Sequence, residues 1–95
     1  MFLIVLSEDA TPPSVQSCPD SFTDVSDSHQ KSVTWEEPIF TDNVGVVSVL
    51  SNRQPGFEMD TFTSINIRYT ATDASDNEAF CTFNITVEGM QYLKA

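Results

Sequence analysis

Carboxylate and amide oxygens are the commonest chemistry-bearing groups in this chain, and five of them gather in two turn-forming clusters. Asp42 and Asn43 form the first; Asp73, Asp76 and Asn77 form the second. Brought together, with Glu36 or Glu37 nearby, such hard oxygens are the ligand types of a Ca²⁺ cage. Short carboxylates have a competing use at these positions, because Asp at a turn accepts backbone N–H groups and holds the loop closed. Both uses place the clusters on loops.

Sulfur offers a second chemistry. Cys18 and Cys81 are the only cysteines, so a disulfide has one possible connectivity. No Cys-x-x-Cys or His-rich spacing points to zinc, and the alternative to a disulfide is two buried thiols. Closing that loop would remove roughly 4 kcal/mol of denatured-state entropy. Asn84-Ile85-Thr86 is an N-glycosylation sequon, and strand alternation turns Asn84 away from the face of Cys81, Phe83 and Ile85.

Other candidates concern partners. Phe57, Met59 and Phe62 lie beside turn residues and are candidates for an exposed patch where a partner docks, core packing being the alternative. Arg53 and Arg68 have the fork geometry to grip a carboxylate, although isolated arginines are usually just solvated. An enzyme is not expected. His29, the only histidine, sits in the polar stretch Asp27-Ser28-His29-Gln30, and no phosphate loop or Gly-flanked nucleophile is present. The carboxylates fall mostly on turns, which offers no buried acid and base pair.

The 95 residues suffice for one domain with one marginal core, and seven Phe, two Tyr and one Trp supply its large anchors. A formal charge of -10 excludes nucleic acid and anionic membrane as partners, since only Lys31, Arg53, Arg68 and Lys94 are cationic. Phe2 to Leu6 is an apolar run too short to span a bilayer and lacking a basic flank or a cleavage site. Residues 1–10 therefore read as an apolar run and polar linker, a tag, a signal remnant or a strand from upstream, and residues 89–95 as a tail.

Positioning falls to β-strands. Pro12-Pro13 opens the domain in extended conformation, and Val15 to Cys18 suits a short edge strand ended by Pro19. The polar stretch from Asp20 to Gln30 reads as a crossing loop or irregular edge with Phe22 and Val25 as inward anchors. Lys31 to Glu36 alternates with Val33 and Trp35 on one face; Val46 to Leu50 forms the next strand, and Pro55-Gly56 a turn. Phe57 to Phe62 starts as a strand and loses phase at Asp60-Thr61. Ile65, Ile67, Tyr69 and Ala71 share one face of the clearest strand, and Cys81, Phe83, Ile85 and Val87 one face of the last. No segment has a helical period. About six or seven short strands joined by Pro, Gly, Asn and Asp turns predict an all-β, antiparallel β-sandwich.

The order Cys18-Pro19, Trp35 with Pro38, Asp42-Asn43, Pro55-Gly56, Tyr69-x-Ala71-x-Asp73, Asn77 and Cys81-x-Phe83 resembles the hyalin repeat, or HYR, domain over residues 11–88. Asp76 departs from the family pattern, which usually has Gly before Asn77, and no Gly precedes the Ile65 strand. A true immunoglobulin domain fits less well, because Pro19 marks Cys18 as an edge residue and position 79 is Ala where a tyrosine corner needs Tyr. The resemblance implies an immunoglobulin-like fold and an extracellular module, secreted or on a cell-surface ectodomain. Its implied role is adhesion or contact with an extracellular protein or glycoprotein, beside other modules of a longer parent. A spacer between modules and a calcium-stiffened joint are the alternatives. Under sandwich topology the Asp42-Asn43 turn and the Asp73 to Asn77 loop share one end.

Overall fold

The computed structural model describes residues 11–90. The Phe2 to Leu6 run and most of the expected tail lie outside the described residues. Eight strands follow in order: β1 (Ser14–Ser17), β2 (Phe22–Ser26), β3 (Gln30–Ser32), β4 (Ile39–Thr41), β5 (Val46–Ser51), β6 (Glu58–Asp60), β7 (Thr63–Asp73) and β8 (Glu78–Gly89). They form a four-stranded sheet in the order β2-β8-β7-β5 and two paired ribbons, β1-β4 and β3-β6. The fold is an all-β sandwich, as the alternation predicts, immunoglobulin-like as the HYR resemblance implies, and tied by the one disulfide the two cysteines allow.

Its backbone is the β7–β8 hairpin, in register from Thr63 opposite Val87 to Thr72 opposite Glu78. Period-2 alternation puts Ile67, Tyr69 and Ala71 of β7 on the same face as Cys81, Phe83, Ile85 and Val87 of β8, and all of them are buried. Val33 and Met59, from the β3 and β6 side, close over that face to make the core, with Phe22, Trp35, Phe40, Phe57 and Ile65 packed around it. Each fully buried aliphatic side chain there, such as Ile67, Ile85 or Val87, contributes about 1.5–3 kcal/mol. Trp35 meets Phe83 and Phe57 edge-on, with ring centroids 5.6 and 6.1 Å apart.

Eight strands exceed the expected six or seven. The segment read as a crossing loop or irregular edge contains β2, an edge strand of the four-stranded sheet that runs parallel to β8, with Phe22 opposite Ile85 and Ser26 opposite Gly89. That pairing is nonlocal, and a polar edge strand lacks the apolar alternation that marks one in sequence. Val25 is corrected by the same strand: at 50% exposure it faces outward, because residues three apart on a strand cannot share the face Phe22 occupies. The strand β4, which has no counterpart in the sequence reading, follows Pro38 and pairs with β1. In contrast, β3 stops at Ser32, and Val33 continues the contact by irregular bonds to Phe57 O and from Gly56 N. Gly56 has φ 94, a conformation open to glycine in the Pro55-Gly56 turn.

Candidate functional site

Pairing of Val46 with Asp73 brings the β4–β5 turn and the β7–β8 loop to one end of the sheet. There the carboxylates hold backbone. Asp73 is 1% exposed, and its Oδ1 accepts the N–H groups of Ser75 and Asn77 at 3.0 and 2.9 Å. Its Oδ2 accepts the Asn77 side-chain amide at 3.0 Å. Burial opposes ionisation of Asp73, but these bonds from Asn77 and Ser75 outweigh it and hold the carboxyl below the ordinary aspartate value. Asp42 works similarly, its Oδ2 accepting from Val44 N and Gly45 N at 3.1 and 3.2 Å. Its Oδ1 is buried without a hydrogen-bond partner among the described residues.

Asp76 occupies φ 68. That left-handed conformation explains why a glycine suits the position, and Asp tolerates it better than most residues. Asp73 N–H to Asn77 O, at 3.0 Å, and Asp76 N–H to Asp73 O, at 3.1 Å, close the loop. Among the described residues no group of three or more His, Cys, Asp and Glu is arranged to hold a metal ion. Their bonds to backbone N–H groups make Asp42 and Asp73 turn staples.

Between the sheets a polar chain links the signature aromatics. Trp35 Nε1 donates to Tyr69 Oη at 2.9 Å, and the Tyr69 hydroxyl donates to Glu37 Oε2 at 2.9 Å. Burial pushes the Tyr69 phenol above its ordinary value, against the Trp35 N–H and with the Glu37 carboxylate. Cys18 and Cys81 form the disulfide, their Cα atoms 5.7 Å apart.

The partner candidates separate. Met59 is buried at 4% exposure and belongs to the core. Phe57 is half-buried against Trp35, with Arg53 5.7 Å from its ring centroid. Phe62 alone is open, at 70% exposure. Asn84 is exposed on the outer face of β8, where Asn66 donates to its Oδ1 at 3.0 Å.

That outer face holds a row that sequence reading did not assemble. Register aligns Leu50 of β5, Thr70 of β7 and Phe80 of β8. Leu50 is 69% and Phe80 43% exposed, and the Arg68 guanidinium lies 4.3 Å from the Phe80 ring centroid. Alternation marks Thr70 and Phe80 as outward, but the apolar run that contains Leu50 carries no such mark, and only the strand order makes the three neighbours.

Comparison with known proteins agrees with the geometry. The model of the HYR domain family matches residues 8–87. The mouse protein named sushi, von Willebrand factor type A, EGF and pentraxin domain-containing protein 1 is 32% identical over 83 residues, covering 85% of this chain. Its rat counterpart is 38% identical over 76 residues, covering 75% of this chain. Sea urchin (Strongylocentrotus purpuratus) hyalin is 38% identical over 58 residues, covering 58% of this chain. The chain spans 2% of the length of the mouse and rat proteins and 5% of hyalin. No solved structure matches. With the disulfide, the Trp35–Tyr69 bond and the Asp73 loop all formed by the residues that carry the motif, the chain belongs to the HYR domain family.

Proposed function

We propose that the chain is a non-enzymatic extracellular module that acts by protein contact, as an adhesion or assembly unit within a longer protein. The observation that carries this reading is the Leu50–Thr70–Phe80 row with Arg68 beside it. Leucine, phenylalanine and arginine side chains form a patch on an open sheet, and Phe and Arg are among the residues enriched at protein interfaces. The patch continues to an open edge: β5 ends the four-stranded sheet, and its six residues, VVSVLS, carry no charge.

Two further observations support the setting. A disulfide of this kind persists in oxidising, extracellular conditions. The mouse relative's name lists several kinds of module in one protein, and this chain corresponds to a small part of it. No helix among the described residues is long and apolar enough to cross a membrane.

Presenting the module as a multimer to extracellular proteins and cell surfaces tests the reading. Saturable binding is expected, and Leu50→Lys should abolish it while leaving the melting temperature unchanged, since Leu50 is mostly in solvent. Absence of saturable binding would leave a spacer between neighbouring modules.

A further inference from the structure

We propose that the groove lined by Phe62, at the end of the sheet opposite the Asp73 loop, binds a neutral pyranose sugar. The groove has a volume of about 420 Å³ and is bounded by the β2–β3 loop, the turn before β7 and the end of β8. Asp27, His29, Thr61, Phe62, Gly89 and Met90 line it. Its size falls within the range of small-molecule sites.

Two observations single out Phe62. The first is its backbone, held at φ 70, a region that bulky side chains seldom occupy and that costs free energy to maintain. Phe62 N–H to Val87 O, at 2.7 Å, and Thr61 N–H to His29 O, at 2.8 Å, keep it there. The second is the ring, which remains 70% exposed, so burial of the ring does not offset the strain. Gly89 lies against it, and a β-carbon added to Gly89 would come within 2.8 Å of Phe62 Cε1. Backbone contact on one side and solvent on the other make the ring a platform. The apolar C–H face of a pyranose matches such a platform, as an aromatic face attracts polarised hydrogens.

The rim supplies polar groups for sugar hydroxyls. Asp27 and His29 are exposed. The neighbouring hydroxyls are occupied in stitching the loop: Ser26 and Ser28 each donate to Gln30 O, and Thr61 donates to Ser28 O. A loop fixed in this way loses little entropy when ligand arrives. Charge decides the sugar class. The Asp27 carboxylate, on a chain of net charge -10, repels sialylated and sulfated glycans and leaves neutral ones. The inference goes beyond the protein-contact reading and uses a different surface from Leu50 and Phe80, so either can fail alone.

Amide NMR titration of the whole chain with lactose, up to tens of millimolar, is the test. Saturable shifts are expected at Thr61, Phe62, His29 and Gly89, with none at Leu50 or Phe80, and saturation transfer should reach the galactose ring hydrogens. Phe62→Asn, whose side chain tolerates the left-handed backbone, should weaken binding by about tenfold or more without lowering the melting temperature. Asp27→Ala, on an exposed loop, should weaken it several-fold, and 3′-sialyllactose should bind less well than lactose. Unmoved groove amides at the highest lactose concentration would overturn the proposal, as would the same titration in Phe62→Asn or Asp27→Ala. Equal or tighter binding of sialyllactose would overturn its neutral-sugar part.

Discussion

Trp35 Nε1 donates to the hydroxyl of Tyr69 at 2.9 Å, joining the segment after β3 to the centre of the four-stranded sheet. The same hydroxyl donates to Glu37, so one phenol satisfies an indole and a carboxylate. Tyr69→Phe keeps the shape of the core but removes the acceptor of the half-buried Trp35 indole, while the exposed Glu37 carboxylate is left to water. It should cost about 1–2 kcal/mol, measured by urea unfolding, the lower part of the range for unpaired groups because Trp35 is only half-buried. The raised pKa makes the contribution of Tyr69 complete below about pH 10, its ordinary range, and lost as pH rises through the higher native value. An alkaline unfolding limb should therefore flatten in Tyr69→Phe.

Reduction of the Cys18–Cys81 bond, whose cysteines are 63 positions apart, should lower stability by about 4 kcal/mol on the chain-entropy account. For a domain with a stability of roughly 5–15 kcal/mol, that is a large share. Thermal melts with and without reductant, and of the Cys18→Ser/Cys81→Ser double variant, measure it. Equal melting temperatures would contradict the estimate.

Asp73 carries an acid-side prediction. Its native pKa is depressed, so the stability it contributes is complete above the ordinary aspartate range and disappears as pH falls below about 4 toward the native value. Asp73→Ala, which removes the carboxylate that accepts the Ser75 N–H and the Asn77 backbone and side-chain amides, should lower stability at neutral pH and flatten the acid limb of the unfolding profile. Because these carboxylates are engaged with backbone, millimolar calcium should not raise the melting temperature of the parent chain; a rise would restore the cage reading.

Asp76→Gly should stabilise the loop by about 0.5–1 kcal/mol, since glycine adopts the observed φ of 68 without the steric cost to a β-carbon. Asp76→Val should do the reverse. Chemical denaturation of the two variants gives the sign directly.

Asn84 lies exposed on the same sheet face as Phe80, four positions away along β8. Secreted protein should carry an N-glycan there, seen as a mass loss on glycosidase treatment and absent from Asn84→Gln. Such a glycan would confine protein contact to the Leu50 and Phe80 end of the face.

Much of this was legible in the sequence where it concerned faces. Alternation in Ile65 to Ala71 and Cys81 to Val87 assigned the buried side of the hairpin, because a period of two admits only two faces and one of them is apolar. The two cysteines admitted one connectivity, and the Asp, Asn, Pro and Gly clusters marked the turns. Coverage of a face was not legible. Phe57, Met59 and Phe62 look alike in the sequence, yet one is half-buried, one is in the core and one stands in solvent. Which of them is covered depends on the layer opposite and on the φ of a single turn residue. The parallel β2–β8 pairing and the Leu50–Thr70–Phe80 row were decided likewise by tertiary structure, since hydrogen bonding between distant strands leaves no local period to read. Sequence alone determined the family, the inward faces and the covalent tie; packing between layers decided which aromatic side chains and carboxylates remain free to meet a partner.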